Sequence, residues 1–295
     1  MRIFLFAACL TACSPAATSP GGAPAEEPSA FAAAIPAFED RLGGPLGLVL
    51  MDARGERILS HRPDTPMAFC SSFKPMLAAA ALAASNAGEI NLEAPIAYDP
   101  DALPGHSPML AAGDGTTILD AALDAAMLVS DNGASNMIID ALGGPAAVNA
   151  WFERWQLGAR LDRRETALNE NAKGDPRDSA TPLAMADFWR RLEQAPALDD
   201  AQRARLFELA RRSTTGLDRV RAGLPEGWRA GDKTGTCRPD GDPDQQVNDV
   251  GFIDHPNGRD RYYFAVMAQR PTVSLAETKA IMAEIGAYFA LAIGE

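Results

Sequence analysis

The segment MAFCSSFKPMLAAA, from Met67 to Ala80, places a Ser-x-x-Lys pattern at the start of an apolar, alanine-rich run. Residues three apart share one face of a helix, so Lys74 is expected to lie beside Ser71. Ser71 would stand at the helix N-terminus, where unpaired N–H groups and the dipole favour negative charge. A desolvated lysine can hold or take the serine proton and so activate a nucleophile. Alone, the pattern is weak evidence for a nucleophile, because an ordinary helix with an N-cap serine and a solvated lysine has the same sequence pattern.

Two further polar segments accompany this pattern. Ser-Asp-Asn at 130–132 lies between two predicted helices, and its residue types also suit a simple helix cap. Lys-Thr-Gly-Thr at 233–236 lies on a predicted strand, where it could be an ordinary polar edge. In this order and spacing, the three segments resemble the known signature of class A serine β-lactamases and penicillin-binding proteins.

A long polar loop at 158–181 distinguishes the β-lactamases from the penicillin-binding proteins. Its Glu-x-x-Leu-Asn run from Glu165 to Asn169 resembles the omega loop of class A β-lactamases. A carboxylate and an amide four residues apart can together hold one water for attack. Arg163 and Asp178 are predicted to form an ion pair at the neck of the loop. A loop this long is more often functional than accidental, although Glu165 alone could be a solvated acid.

The resemblance covers the chain from about residue 31 onward and implies a role for each matching residue. For catalysis it implies Ser71 as the acylated nucleophile, Lys74 as its partner, Ser130 as proton donor to the leaving nitrogen, and Glu165 with Asn169 as holders of the deacylating water. For substrate binding it implies Asn132 at the substrate amide, Lys233 and Thr234 at its carboxylate, and Gly235 and Thr236 on the same strand. The N–H groups of Ser71 and Thr236 would form the oxyanion hole, where one donor commonly contributes ~10²–10³ in rate.

The chain departs from the family pattern in two places. Thr166 follows the glutamate where a proline in a cis peptide is common, and Asn136 is the family position that braces this bond, so we expect a held cis peptide. The stretch 247–254 lacks the arginine that often binds the carboxylate. Arg219 matches another position that supplies it, and is otherwise a surface arginine. His106 aligns with a wall of the site and is expected to stack on substrate, the alternative being an exposed loop histidine.

The N-terminal segment MRIFLFAACLTAC is predicted to be an export signal and not part of the folded domain. One arginine precedes a short apolar run, which is the outline of a signal peptide. Residues 10–13 resemble a lipoprotein box in which Cys13 is lipidated; the alternative is a plain export signal cut later. We therefore expect an exported, periplasmic protein that is tethered through Cys13 or otherwise soluble there.

Four cysteines are present, and the leader accounts for Cys9 and Cys13. Cys70 and Cys237 remain in the exported body, where an oxidising compartment preserves disulfides. Pairing is favoured, with two separate buried thiols as the alternative. Under the resemblance, a cysteine pair at these positions is similar to that of carbapenem-hydrolysing members and some extended-spectrum relatives.

Hydrophobic periodicity predicts two strands around a turn at 53–55, helices from 71 to 212, three strands after 229 and a last helix at 274–293. Strands at both ends with helices between them predict a mixed α/β (α+β) fold, in which an antiparallel sheet flanked by helices is built from both termini and an all-helical domain is inserted. The predicted divisions are a signal peptide at 1–12, a tether at 13–30, an α/β domain at 31–60 and 213–295, and a helical domain at 61–212 with an omega loop at 158–181.

The net charge and the histidine spacing indicate which binding partners to expect. The net charge is −12 with no basic cluster, which argues against a nucleic-acid partner. The three histidines, His61, His106 and His255, lack metal-ligand spacing, so neither a metal nor a cofactor is expected. We expect a monomer acting on a small-molecule β-lactam.

The leading hypothesis is β-lactam hydrolysis that includes carbapenems. One alternative is a narrower penicillinase or cephalosporinase of the same class. The others are a penicillin-binding transpeptidase or carboxypeptidase, which deacylates slowly with water, and a β-lactam sensor domain, which only binds.

Overall fold

The structure is a computed structural model that describes residues 30–294. The predicted leader, the tether up to residue 29 and Cys13 lie outside the described residues. The α-helices are α1 (Ala30–Leu42), α2 (Lys74–Asn86), α3 (Pro108–Ala111), α4 (Leu119–Leu128), α5 (Asn132–Ala141), α6 (Pro145–Arg154), α7 (Pro182–Leu192), α8 (Asp200–Arg212), α9 (Val220–Gly223) and α10 (Leu275–Ile293). The strands are β1 (Leu46–Met51), β2 (Arg57–His61), β3 (Met67–Ala68), β4 (Pro95–Ala97), β5 (Thr116–Ile118), β6 (Ala159–Arg160), β7 (Ser179–Ala180), β8 (Arg229–Cys237), β9 (Gln246–Asp254) and β10 (Arg261–Gln269).

The main sheet has five strands in the order β2-β1-β10-β9-β8, and every pair is antiparallel. Strands from the two ends of the chain meet where β1 pairs with β10. This confirms the predicted antiparallel sheet built from both termini. The edge strand β8 carries the Lys-Thr-Gly-Thr segment, and its Gly235 stands opposite Asn248 of β9.

Alternation along the strands divides the hydrophobic core into two layers. Val49 and Met51 belong to the layer on the side of the helical region, whereas Leu48 and Leu50 belong to the layer under α1 and α10. Successive side chains of a strand point to opposite faces, so both faces of β1 are buried. The sheet is therefore covered by helices on both sides.

Helix α2 lies at the centre of the helical region and is buried from Lys74 to Ala84. A helix that is apolar on all sides must be surrounded by protein, and α2 packs against α4, α5, α6 and α8. Its run of alanines lets these neighbours approach closely. The consequence is that Lys74, in the first turn, is fully buried.

Three local features differ from the sequence expectation. The helix predicted from Ser71 begins at Lys74, and Ser71 lies in a 3-10 turn, Cys70–Phe73. The omega loop is not structureless, because β6 and β7 pair at its neck and Ala167–Asn169 form another 3-10 turn. Strands β4 and β5 form a small sheet that the pattern did not predict. Among residues 30–294, no helix has the length and apolar character that a membrane span needs.

Candidate active site

The side chains of Ser71, Lys74 and Glu165 meet at the start of α2. Ser71 Oγ lies 3.4 Å from Glu165 Oε1, and Lys74 Nζ lies 3.2 Å from the same oxygen. The Lys74 ammonium also donates to the Ser130 carbonyl at 2.8 Å and to Asn132 Oδ1 at 2.8 Å. The structure thus brings together five residues that the sequence places up to 94 positions apart.

Burial controls the charge of both lysines at the site. Desolvation lowers the pKa of Lys74, and the neighbouring Glu165 carboxylate opposes that change. Desolvation lowers the pKa of Lys233 further, and the positive charge of Lys74 adds to the effect. A lowered pKa increases the fraction of a lysine that is neutral at a given pH, and only the neutral amine can accept a proton. The alternative of a solvated Lys74 is therefore wrong.

The Ser-Asp-Asn turn divides into a structural residue and two site residues. Asp131 caps α5 by accepting the Ala134 N–H at 2.9 Å, and its other oxygen accepts N–H groups from α3. Ser130 has a left-handed backbone, with φ +62°. Its hydroxyl lies 3.3 Å from Lys74 Nζ and 3.0 Å from Lys233 Nζ. The cap interpretation therefore holds for Asp131, while Ser130 stands between two amines.

The omega loop carries Glu165 to the start of α2, beside Ser71 and Lys74. The Glu165-Thr166 peptide is cis, as expected. Asn136 braces it from α5, donating to the Glu165 carbonyl at 2.8 Å and accepting its N–H at 2.9 Å. Asn169 Nδ2 donates to Glu165 Oε2 at 2.6 Å. Both carboxylate oxygens are thus engaged, one by the loop's own amide and one by Lys74 and Ser71.

The predicted ion pair at the neck of the omega loop is present. Arg163 Nε lies 2.5 Å from Asp178 Oδ2, and Asp178 is fully buried. The other carboxylate oxygen accepts the N–H groups of Asp162 at 2.7 Å and Arg163 at 3.0 Å. Removing one member of such a buried pair leaves an uncompensated charge, so this pair closes the loop firmly.

The edge strand β8 lies against the turn that carries Ser71. A Cβ on Gly235 would stand 2.5 Å from the Phe69 carbonyl oxygen, so only glycine allows this approach. Arg219 donates to the Gly235 carbonyl at 3.2 Å, to Thr236 Oγ1 at 2.7 Å and to the Asn248 carbonyl. With 5% of its surface exposed, Arg219 is not a surface loop arginine. Thr234 Oγ1 donates to Thr215 Oγ1 at 2.9 Å.

A disulfide joins Cys70 to Cys237, with 5.6 Å between the Cα atoms. It links the start of the 3-10 turn that contains Ser71 to the end of β8 across 167 residues, and both cysteines are buried. The predicted pairing is confirmed, and the alternative of two separate thiols is wrong. Cys70 itself has φ +51°, so the bond holds a residue in a backbone conformation that costs roughly 1–2 kcal/mol.

His106 lies on the loop before α3, at the mouth of the site. Its side chain is exposed, and Nε2 lies 2.9 Å from the Val129 carbonyl oxygen. Its own carbonyl accepts the Asn132 N–H at 2.8 Å. A Cβ on the adjacent Gly105 would lie 2.8 Å from Thr166 Cγ2, so this loop faces the omega loop across the opening. Stacking of His106 on a substrate stays a prediction.

Asn248 is a site residue that sequence reasoning missed. It is fully buried on β9, and its Nδ2 donates to the carbonyls of Ala68 at 2.8 Å and Phe69 at 3.0 Å. These are the two residues that precede Cys70 and Ser71, so Asn248 fastens the nucleophile's turn to the sheet. The available signal was a polar Asn-Asp pair at 248–249 in the interior of a strand, between Val247 and Val250.

A group of buried charged side chains that was not predicted lies behind β8. Arg221 binds Asp232 through both oxygens, at 2.6 and 2.7 Å. Asp249 accepts the Val220 N–H at 3.1 Å. Burial raises the pKa of both carboxyl groups, and for Asp249 the negative charge of Asp232 adds to the effect. The charges of Asp249 and Asp232 act on Arg219, and Asp232 directly precedes Lys233 in the chain. No group of three or more His, Cys, Asp or Glu side chains in residues 30–294 could hold a metal ion.

Comparisons with known proteins agree with this geometry. Residues 30–290 match the model of the Beta-lactamase enzyme family. The chain is 36% identical over 248 residues to the carbapenem-hydrolyzing β-lactamase KPC of Klebsiella oxytoca, covering 83% of each. It is 40% identical over 206 residues to the β-lactamase CTX-M-97 of Escherichia coli, covering 68% of this chain and 70% of the relative.

Solved structures give the same result. The last common ancestor of Gram-negative bacteria class A β-lactamase superposes with a TM-score of 0.82 at 38% identity, covering 90% of this chain and 100% of that one. A β-lactamase of Xanthomonas campestris superposes with a TM-score of 0.84 at 31% identity, covering 90% and 97%. The chain belongs to the class A β-lactamases and hydrolyses β-lactams.

The Asn248 contacts generate a prediction about acylation. Asn248→Asp keeps the shape of the side chain but turns a carboxylate toward two carbonyl oxygens. An unmade hydrogen bond in a buried place costs about 1–3 kcal/mol, so the acylation rate is expected to fall about tenfold or more. Stopped-flow acylation by a penicillin measures this. Asn149→Asp is the matched control, because Asn149 donates to the Leu161 carbonyl at 2.7 Å, away from Ser71. Equal acylation by the two variants would contradict the role.

Proposed function

We propose that this enzyme hydrolyses β-lactams, including carbapenems, through an acyl-enzyme on Ser71 and a water activated by Glu165. The observation that carries the proposal is the position of the Glu165 carboxylate. One oxygen lies 3.4 Å from Ser71 Oγ, and the other is held at 2.6 Å by Asn169. A general base must be within hydrogen-bond reach of its proton, and a water between these groups would face the ester carbonyl.

Acylation begins when Ser71 Oγ attacks the lactam carbonyl. Its proton passes to the Lys74–Glu165 pair, whose two groups lie 3.2 Å apart. The oxyanion forms between the N–H groups of Ser71 and Thr236. Close approach of β8 at Gly235 supports this arrangement, because it brings the two N–H groups onto adjacent backbones.

Opening of the ring requires a proton on the departing nitrogen. Ser130 Oγ supplies it in this proposal and is reprotonated from the neighbouring amines, since Lys74 lies 3.3 Å and Lys233 3.0 Å from it. Deacylation then uses the water on Glu165, and Ser71 recovers its proton from the same group of residues. In the overall reaction, one water molecule is added across the amide bond of the lactam.

The substrate carboxylate is proposed to bind along β8. Lys233 and Thr234 would meet it first, and the hydroxyl of Thr236 presents a further donor. Arg219 supplies positive charge from beneath, since its guanidinium already contacts Thr236 Oγ1 at 2.7 Å. Asn132 would take the substrate amide, and His106 would form the outer wall.

Carbapenems are included among the proposed substrates. Their hydrolysis is supported by the Cys70–Cys237 disulfide and by likeness to a relative that is named carbapenem-hydrolyzing. The alternative is a penicillinase or cephalosporinase that forms a long-lived carbapenem acyl-enzyme. The Glu165–Asn169 loop argues against a transpeptidase or a sensor domain, neither of which needs a rapid deacylating water.

We also propose that the chain is divided into two domains. The α/β domain would comprise 31–60 and 213–295, and the helical domain 61–212, with the site between them.

We further propose a monomer that is exported to the periplasm and anchored through Cys13. Cys13→Ser is expected to move the protein from the membrane fraction to the soluble periplasmic fraction. Unchanged fractionation would remove the anchor from the proposal.

The two half-reactions are expected to separate in Glu165→Ala. The variant should still be acylated at Ser71, because Lys74 remains to take the serine proton, and it should then stall, because the group that activates the deacylating water is lost. Mass spectrometry after mixing with a penicillin measures the persistent adduct, and Ser71→Ala is the control that should form none. Free turnover by Glu165→Ala would exclude Glu165 from deacylation.

Steady-state hydrolysis of imipenem, followed by its absorbance, measures the carbapenem activity. Multiple turnovers per active site are expected, with a burst no larger than the enzyme concentration. A stoichiometric burst followed by no turnover would leave the narrower penicillinase or cephalosporinase as the function.

A further inference from the structure

The carboxamide of Asn169 lies between the Glu165 carboxylate and the disulfide. Its Nδ2 donates to Glu165 Oε2 at 2.6 Å, while its Oδ1 lies 3.2 Å from Cys237 Sγ. A disulfide sulfur carries no proton, so the second contact is packing rather than a hydrogen bond. Both ends of the amide are therefore in contact with a neighbour, and the sulfur occupies the side away from Glu165.

These contacts close a ring around the reacting atoms. Ser71 follows Cys70, Cys70 is bonded to Cys237, Cys237 touches Asn169, Asn169 binds Glu165, and Glu165 Oε1 lies 3.4 Å from Ser71 Oγ. The disulfide thus reaches the nucleophile through the chain and the carboxylate through a side-chain contact. The two routes are independent, because the first needs the S–S bond and the second needs only the sulfur of Cys237.

We propose that Cys237 Sγ is a positioning group for deacylation, acting through Asn169. The sulfur keeps the carboxamide turned with its nitrogen on Glu165, which holds the carboxylate oriented toward the water. This inference rests on the proposed function, in which Glu165 and Asn169 hold that water. The role is separate from the covalent attachment of the Ser71 turn to β8.

The positioning role of Cys237 depends on the rotational freedom of the Asn169 carboxamide. The last torsion of an asparagine side chain is broad and roughly two-fold, and Asn169 is only partly buried. Cys237 is 1% exposed, so its sulfur fills the space beside the amide. Without it, the carboxamide can swing away and Glu165 loses its partner on Oε2. A displacement of about 1 Å at a reacting group can cost ~10²-fold in rate.

The chain offers a matched pair of variants, because each cysteine can be removed alone. Cys70→Ala and Cys237→Ala both abolish the bond, but only the second removes the sulfur that contacts Asn169. Acylation and the midpoint of thermal unfolding are expected to change to a similar extent in both. Deacylation of the penicillin acyl-enzyme is expected to be about tenfold slower in Cys237→Ala than in Cys70→Ala, a modest part of the misplacement cost above.

The experiment measures the single-turnover decay of the acyl-enzyme by mass spectrometry. This rate belongs to acylated molecules only, so an incompletely folded preparation does not alter it. The pair is repeated with Asn169→Ala present, where the difference between the two cysteine variants should disappear. If Cys237→Ala yields no acyl-enzyme, Cys237→Ser and Cys70→Ser replace the pair, and slower decay of the former is again expected.

Equal decay rates for the two cysteine variants would overturn the inference. A difference that persists with Asn169→Ala present would also overturn it, because the effect would then bypass Asn169. Failure of the proposed function is read separately, from absence of a stable adduct in Glu165→Ala with intact cysteines.

Discussion

The buried ammonium of Lys74 is the constraint on which the rest of the site depends. A charge with no exposure to water must be met by oxygen atoms on every side, and here these come from the Ser-Asp-Asn turn and the omega loop. Burial of α2 on all sides places the ammonium there. The same contacts that solvate the lysine therefore position Ser130, Asn132 and Glu165 around Ser71.

The sheet edge is supported in the same way by charges behind it. Arg219 is nearly fully buried, and its environment contains Asp249 and the Asp232–Arg221 pair. Burial lowers the pKa of the Arg219 guanidinium, and the negative charge of Asp249 opposes this most strongly. On β8 itself, Lys233 reaches Ser130 in the site while the preceding Asp232 binds Arg221 behind the strand, an arrangement that suits an anionic substrate.

Much of this could be predicted from the sequence, and the remainder could not for identifiable reasons. The last helix was predicted at 274–293 and α10 spans Leu275–Ile293, and motif order predicted which distant residues meet. Asn248 was missed because its importance depends on which strand lies beside the Ser71 turn. The contact between Asn169 and Cys237 was missed because it depends on side-chain placement. The 3-10 turn at Cys70–Phe73 was missed because tertiary contacts, including the disulfide, hold a left-handed residue in front of an otherwise good helix.

The pairing of β1 with β10 has a consequence for how the protein is made. These two strands form the middle of the sheet, yet nearly the whole chain separates them. Contacts of such sequence separation form late and slowly, because a long loop must close first. Strands β1 and β2 are synthesised long before β10, the partner of β1, and an isolated two-stranded hairpin is marginal in water. The main sheet therefore cannot be completed until β10 has been made, when synthesis of the chain is almost finished.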